Sequence, residues 1–183
     1  MLRFRLLTVI AVIRGVFFCL TAMLWANKFV IKGIPKCYGW PYIQVADGTI
    51  LIGKNVRLGS IKLIVAKGGR LIIEDNVGIN DGSVIGVMEE VCIGTNTAIA
   101  EYVMIRDHDH NYSEICIGQS SNGYKIDRVK IGKGCWIGYG SVLTKGVSLS
   151  DGVIVGANSV VTKSINKGEI VGGVPAKKIA VRS

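Results

Sequence analysis

From Ile131 the chain repeats an aliphatic residue every six positions, at Ile131, Ile137, Leu143, Leu149, Val155 and Val161; the same phase runs through Ile73, Ile79 and Ile85, then Ile93, Ile99 and Ile105. A constant six-residue spacing predicts a solenoid, in which each aliphatic side chain returns to the same inner corner of a coil and short strands alternate with turns of fixed length. The residue four further on is small or β-branched (Val77, Ser83, Thr97, Val103, Cys135, Ser141, Val147, Val153, Ser159) and is expected to point inward too. Between them fall pairs that accept positive φ cheaply, such as Asp75-Asn76 and Lys145-Gly146. A β-sandwich would alternate with period two and would not keep its turns evenly spaced. Breaks in phase, a short one at Met88 to Glu90 and a long one between Ile105 and Ile131, should therefore mark loops pushed out of the coils. The hexads begin around Ile52, so the solenoid is expected to close its core without the residues before it.

Composition fits one such domain. With 183 residues there is room for a single sizeable core, and 24 Gly against 3 Pro suits many tight turns. The five cysteines, Cys19, Cys37, Cys92, Cys116 and Cys135, are odd in number and form no C-x-x-C, which points to a reducing compartment rather than a disulfide framework. The net charge of +9 gathers at the start (Arg3, Arg5, Arg14, Lys28, Lys32, Lys36) and at the end (Lys163, Lys167, Lys177, Lys178, Arg182), with no aromatic-interleaved stripe for stacking bases. Nucleic acid is not an expected partner.

Residues Leu6 to Trp25 are apolar enough to cross a bilayer but carry Arg14 near the middle, which costs about 2.5–3.5 kcal/mol on insertion scales. On a helical wheel Arg3, Arg14, Thr21 and Lys28 share one narrow face, favouring a helix that lies in the membrane interface over one that spans it. Plain packing against the domain and a cleaved signal peptide are the lesser alternatives, the second because Leu24-Trp25-Ala26 lacks the small residue expected three before a cleavage site. The chain thus divides into 1–36, a membrane-associating helix and linker, and 37–183, the hexad domain with an inserted loop at 106–130.

Both histidines of the chain, His108 and His110, sit in that loop, flanked by Asp107 and Asp109. Long loops on a regular scaffold usually carry function, and an imidazole beside a carboxylate suits a general base near neutral pH. A zinc site of three histidines gathered across a subunit boundary would need one more than this chain has, so no metal is expected. Cys116 in the same loop offers a covalent alternative, although an unassisted thiol is only slightly ionised at neutral pH.

The hexads, the interrupting DHDHNY and the tail GANSVVTKSINKGEIVGGVPAKKI resemble the hexapeptide-repeat acetyltransferases, in particular their maltose, galactoside and surface-polysaccharide members. The resemblance covers Ile73 to Ile179. It implies an all-β, left-handed parallel β-helix, a homotrimer, and acetyl-CoA as co-substrate held between subunits. Laid without gaps on the galactoside-type pattern, the family's catalytic histidine falls on His110 with His108 as its neighbour, and its acceptor-bonding asparagine on Asn80. The indole beside the cleft falls on Trp136; contacts to the coenzyme fall on Gly138, Gly156, Ala157, Thr162 and Lys163; basic residues near its phosphates fall on Lys177 and Lys178. Tyr139 departs from the pattern, which has a serine there, and residues between His110 and Ile131 do not align.

The expected function is acetyl-CoA-dependent O-acetylation of a sugar hydroxyl, by direct transfer, on a surface polysaccharide or lipid-linked glycan precursor. The enzyme would work in the cytoplasm, peripheral to or anchored at the inner membrane through its N-terminal helix. An acetyltransferase for a small soluble sugar or antibiotic, and a non-catalytic β-helix scaffold, are the alternatives.

Overall fold

A computed structural model describes residues 2–25, 28–111 and 123–182. After an apolar helix, α1 (Leu2–Trp25), the chain winds into an all-β, left-handed parallel β-helix of about six turns. The first face stacks strands Lys28–Ile31, Thr49–Ile52, Arg70–Ile73, Glu90–Ile93, Val129–Ile131 and Ser148–Leu149. The second stacks Lys36–Cys37, Arg57–Leu58, Gly78–Ile79, Ala98–Ile99, Trp136–Ile137, Ile154–Val155 and Glu169–Gly172, and ends with Lys177–Val181 paired antiparallel. The third stacks Tyr42–Val45, Lys62–Val65, Val84–Val87, Met104–Arg106, Val142–Leu143 and Val160–Val161.

The hexad aliphatics form vertical columns: Ile79, Ile99, Ile137 and Val155 are register partners on the second face, and Ile85, Ile105, Leu143 and Val161 on the third. All are buried. The nine small or β-branched residues expected to point inward are buried as well. Their hydroxyls tie coil to coil where apolar packing leaves a backbone group to satisfy: Ser141 Oγ donates to Gly156 O (2.9 Å) and Thr97 Oγ1 to Gly132 O (2.9 Å). At the turns the expected left-handed residues appear, for example Asn76 at φ 60° and Gly146 at φ 76°.

The coils extend further toward the N-terminus than the hexads reveal, to Lys28. The front segment also contributes to their core. Phe18 and Cys19 of α1 belong to the same buried cluster as Cys37, Ile50 and Ile52. The helix contacts the first strand of all three faces, so it lies across the N-terminal end of the prism. Its buried stripe, Ala11, Gly15, Phe18, Cys19 and Ala22, follows helical spacing, and Gly15 lies against the Pro35 carbonyl with no room for a side chain. Arg14 donates from Nη1 to Tyr38 O at 2.9 Å and lies over the Trp40 ring, 5.1 Å from its centroid.

Candidate functional site

After Arg106 the chain leaves the third face in a short antiparallel hairpin, His108–His110 paired with Tyr124–Ile126. Asp107 fixes the root of this hairpin and is fully buried. Its carboxylate accepts the Met88 amide (2.8 and 3.0 Å) and the Glu89 amide (2.7 Å) of the preceding coil's turn, and its carbonyl accepts the Asp127 amide (2.8 Å). The same Oδ1 stands 2.9 Å from His108 Nδ1. A carboxylate holding Nδ1 favours the tautomer protonated there and leaves Nε2 to face the third sheet. Lower on the hairpin, Lys145 Nζ lies 3.4 Å from Asp109 Oδ2, and Arg128 Nε donates to Glu89 Oε1 at 2.7 Å. The loop is thus pinned to the coils on both sides of its base.

The two histidines sit over a cavity of about 190 Å³ lined by Ile64, Val84, Gly86, Arg106, Asp109 and Tyr124. Gly86 makes this approach feasible, because a Cβ there would meet His108 Cε1 at 3.2 Å. The His108 side chain is only 16% exposed, whereas His110 is exposed at the hairpin's edge, its ring 4.7 Å from that of Tyr124. Sequence reasoning did not single out Tyr124 or Gly86. Tyr124 lies in the stretch that does not align with the galactoside-type pattern, and a glycine among many gives no signal of the ring above it.

The remaining expected site residues lie elsewhere on the prism. Asn80, Gly138 and Gly156 follow register partners at the corner between the second and third faces, and each donates its amide to the next coil, as in Gly138 N to Val155 O (2.8 Å). Asn80 Nδ2 also donates to Glu101 Oε1 (2.9 Å), a partner the sequence did not suggest. Trp136, 56% exposed, and Ala157 flank this corner, where Tyr139 packs edge-on against Tyr102 with ring centroids 5.6 Å apart. Thr162 and Lys163 follow the last strand of the third face, at its other edge and therefore on the histidine side. Lys177 and Lys178 lie on the closing strand of the second face, where Lys178 Nζ pairs with Glu169 Oε1 at 3.0 Å and this hydrogen bond holds the Glu169 carboxyl below its usual range. Within one chain the histidines and the Asn80–Trp136 corner therefore occupy opposite edges of the third face.

Four thiols are described, and burial pushes each of them up; Cys37 rises to about 12, first by desolvation and then by the nearby Cys19. None has the lowered pKa of a nucleophilic cysteine. Cys116 lies outside the described residues, as does the rest of 112–122.

Comparison with known proteins agrees with this architecture. The family model for the hexapeptide repeat of succinyl-transferase matches residues 128–163. The putative lipopolysaccharide biosynthesis O-acetyl transferase WbbJ of Escherichia coli (strain K12) is 34% identical over 185 residues, covering 97% of this chain and 90% of that protein. Among solved structures, the polySia specific acetyltransferase NeuO superposes with a TM-score of 0.74 at 26% identity, over 86% of this chain and 73% of its own. AntD, an N-acyltransferase from Bacillus cereus in complex with dTDP and 3-hydroxybutyryl-CoA, is alike in fold, with a TM-score of 0.70 at 23% identity over 85% and 83% of the two chains.

Proposed function

The chain belongs to the hexapeptide-repeat acetyltransferases, and from that premise we propose that it transfers an acetyl group from acetyl-CoA to a sugar hydroxyl of a surface polysaccharide or a lipid-linked glycan precursor. The observation that carries this reading is the pinned hairpin, which holds both histidines of the chain over one cavity, in a protein 34% identical to WbbJ over nearly its whole length.

His110 is the general base. A base must reach the hydroxyl it deprotonates, and His110 is exposed at the rim, whereas His108 is mostly covered. As the sugar oxygen attacks the thioester carbonyl, its proton passes to the His110 imidazole. When the carbon–sulfur bond breaks, the imidazolium returns that proton to the departing thiolate, giving the ester and free CoA. Transfer is direct, with no acyl-enzyme. His108 and Asp107 hold the strand that presents the base.

The working unit is a homotrimer. Histidines at one edge of the third face and Asn80, Trp136, Gly138, Gly156 and Ala157 at the other serve one site only if a second subunit brings its corner to the first subunit's hairpin. The coenzyme then lies between subunits, near Thr162 and Lys163 at the hairpin edge, with Lys177 and Lys178 as phosphate partners. Asn80, oriented by Glu101, bonds the acceptor. The enzyme works at the cytoplasmic face of the inner membrane, where acetyl-CoA meets lipid-linked sugars.

The test is thiol release from acetyl-CoA by the purified protein across a panel of free, nucleotide-linked and lipid-linked sugars. Turnover with glycans identifies the acceptor class; turnover only with a small antibiotic, or none with any acceptor, sinks the reading.

A further inference from the structure

The helix α1 has two apolar sides and only one of them is used. Ala11, Gly15, Phe18 and Ala22 pack on the first coil. Val9, Ile13, Val16, Leu20 and Met23 repeat the same spacing on the opposite side, and all five are exposed. A helix with an apolar stripe on each of two sides, one of them buried in protein, leaves the other for a second apolar phase.

Three further observations identify that phase. No Asp or Glu occurs before Asp47, while six Lys and Arg do, so α1 and the strands of the first coil carry positive charge alone. Among the described residues of that stretch, Lys28 and Lys32 are exposed on the first coil beside the helix. Trp40 and Tyr42, 61% and 54% exposed, flank α1, with Trp40 meeting Phe17 edge-on at 6.1 Å. An apolar face with exposed Trp and Tyr beside it and basic side chains around it matches the layers of an anionic bilayer surface: hydrocarbon, interface and headgroups.

We infer that α1, with Trp40 and Tyr42, seats the molecule on an anionic lipid surface while staying packed on the coil, and does not cross the bilayer. This rests on the membrane-borne acceptor proposed above and specifies how the enzyme meets it. Spanning would withdraw Phe18 and Cys19 from the core, break the bond from Arg14 to Tyr38 O and place a guanidinium in hydrocarbon. Seating costs none of these. The five outward side chains enter lipid, and the prism stands with its N-terminal end on the membrane.

The test is flotation of the full-length protein with vesicles of phosphatidylcholine and phosphatidylglycerol, alongside two variants. Ile13→Glu combined with Leu20→Glu should abolish flotation while leaving the melting temperature, and acetyl transfer to a soluble sugar, unchanged. Arg14→Leu separates the two modes: a seated helix loses its tie to Tyr38, lowering the melting temperature without stronger lipid binding, whereas a spanning helix gains retention. A protease site at the N-terminus should be cut from outside the vesicles. Three results would overturn the inference: retention through alkaline carbonate with that site protected, flotation unaffected by the double variant, or lipid-independent pairing of two copies that the double variant disperses. Flotation with no acetyl transfer to any sugar would sink the proposed function and leave the seating intact.

Discussion

Asp107 and His108 are neighbours in sequence whose side chains also meet, Oδ1 to Nδ1 at 2.9 Å, and the same carboxylate holds the backbone of Met88 and Glu89 on the previous coil. One buried acid therefore couples the stacking of the coils to the orientation of the loop that carries the candidate base. Loss of the base and loss of its support should differ in kind.

His110→Ala is expected to lower turnover by ~10²–10⁴-fold with acetyl-CoA affinity and oligomeric mass unchanged, since a positioned base contributes that much. His108→Ala should lose less. Steady-state thiol release with calorimetric coenzyme titration measures both, and a reversed order would move the base to His108.

Asp107→Ala strips the acceptors from two backbone amides beneath the loop and should destabilise the protein by about 1–3 kcal/mol. At roughly 2–4 °C per kcal/mol for a chain of this size, the melting temperature should fall by several degrees. An unchanged melting temperature would mean that solvent replaces the carboxylate there.

Sedimentation or native mass measurement should find a trimer that binds acetyl-CoA only as a trimer. Monomeric variants with full coenzyme affinity would place the whole coenzyme site within one subunit. Gly138→Ala is a poor probe of that site, because a Cβ at Gly138 would stand 2.6 Å from Ala157 N and disturb coil stacking whatever the coenzyme does.

Removing residues 1–27 should weaken the remaining solenoid rather than release an intact one. Phe18 alone accounts for about 1.5–3 kcal/mol of burial, and Cys37 and Ile50 lose cover with it. The truncated protein should melt earlier and bind a hydrophobic dye near its first coil; equal melting of both forms would show that the first coil closes by itself.

Native Cys37 should resist alkylation at pH 8. With its thiol pushed up to about 12, the thiolate is on the order of 10⁻⁴ of the population, against roughly a quarter for an ordinary cysteine. Peptide mapping after iodoacetamide, native against unfolded, reads the difference. Because ionisation is suppressed only in the fold, this burial stabilises fully below the ordinary thiol pKa, and the contribution fades as pH rises from there toward 12.

The coils were legible wherever successive aliphatics kept step. From Ile73 to Val161 they do, apart from the breaks at Met88 to Glu90 and after Ile105, because each corner takes two turn residues and nothing else. Nearer the N-terminus the step fails: Leu58 pairs with Cys37, 21 positions back, while Leu63 pairs with Ile43, only 20 back, so the interval between Leu58 and Leu63 is five. Cys37 also stands where the later coils place an aliphatic residue. The histidine pair was legible from its confinement to one insertion. The tie from Asn80 to Glu101 was not, because neighbours on adjacent coils stand about twenty residues apart and nothing in either residue marks the other. Nor was the second role of Arg14, since a carbonyl acceptor such as Tyr38 O leaves no trace in side-chain identity.

The two ends of the prism are finished in unlike ways. At the start α1 lies across the first strands; at the end Ile165 bridges to Leu149, Lys177–Val181 runs antiparallel to Glu169–Gly172, and the Ala176 amide donates to Val160 O at 2.8 Å. A parallel stack with bare terminal strands is a template, because any extended segment in register adds another rung and exposes the next. Here the closing strand runs the wrong way and the opening strands lie under a helix. A further parallel rung therefore meets a helix at one end and a strand of opposite direction at the other, which disfavours end-to-end stacking of a chain this rich in Val and Ile.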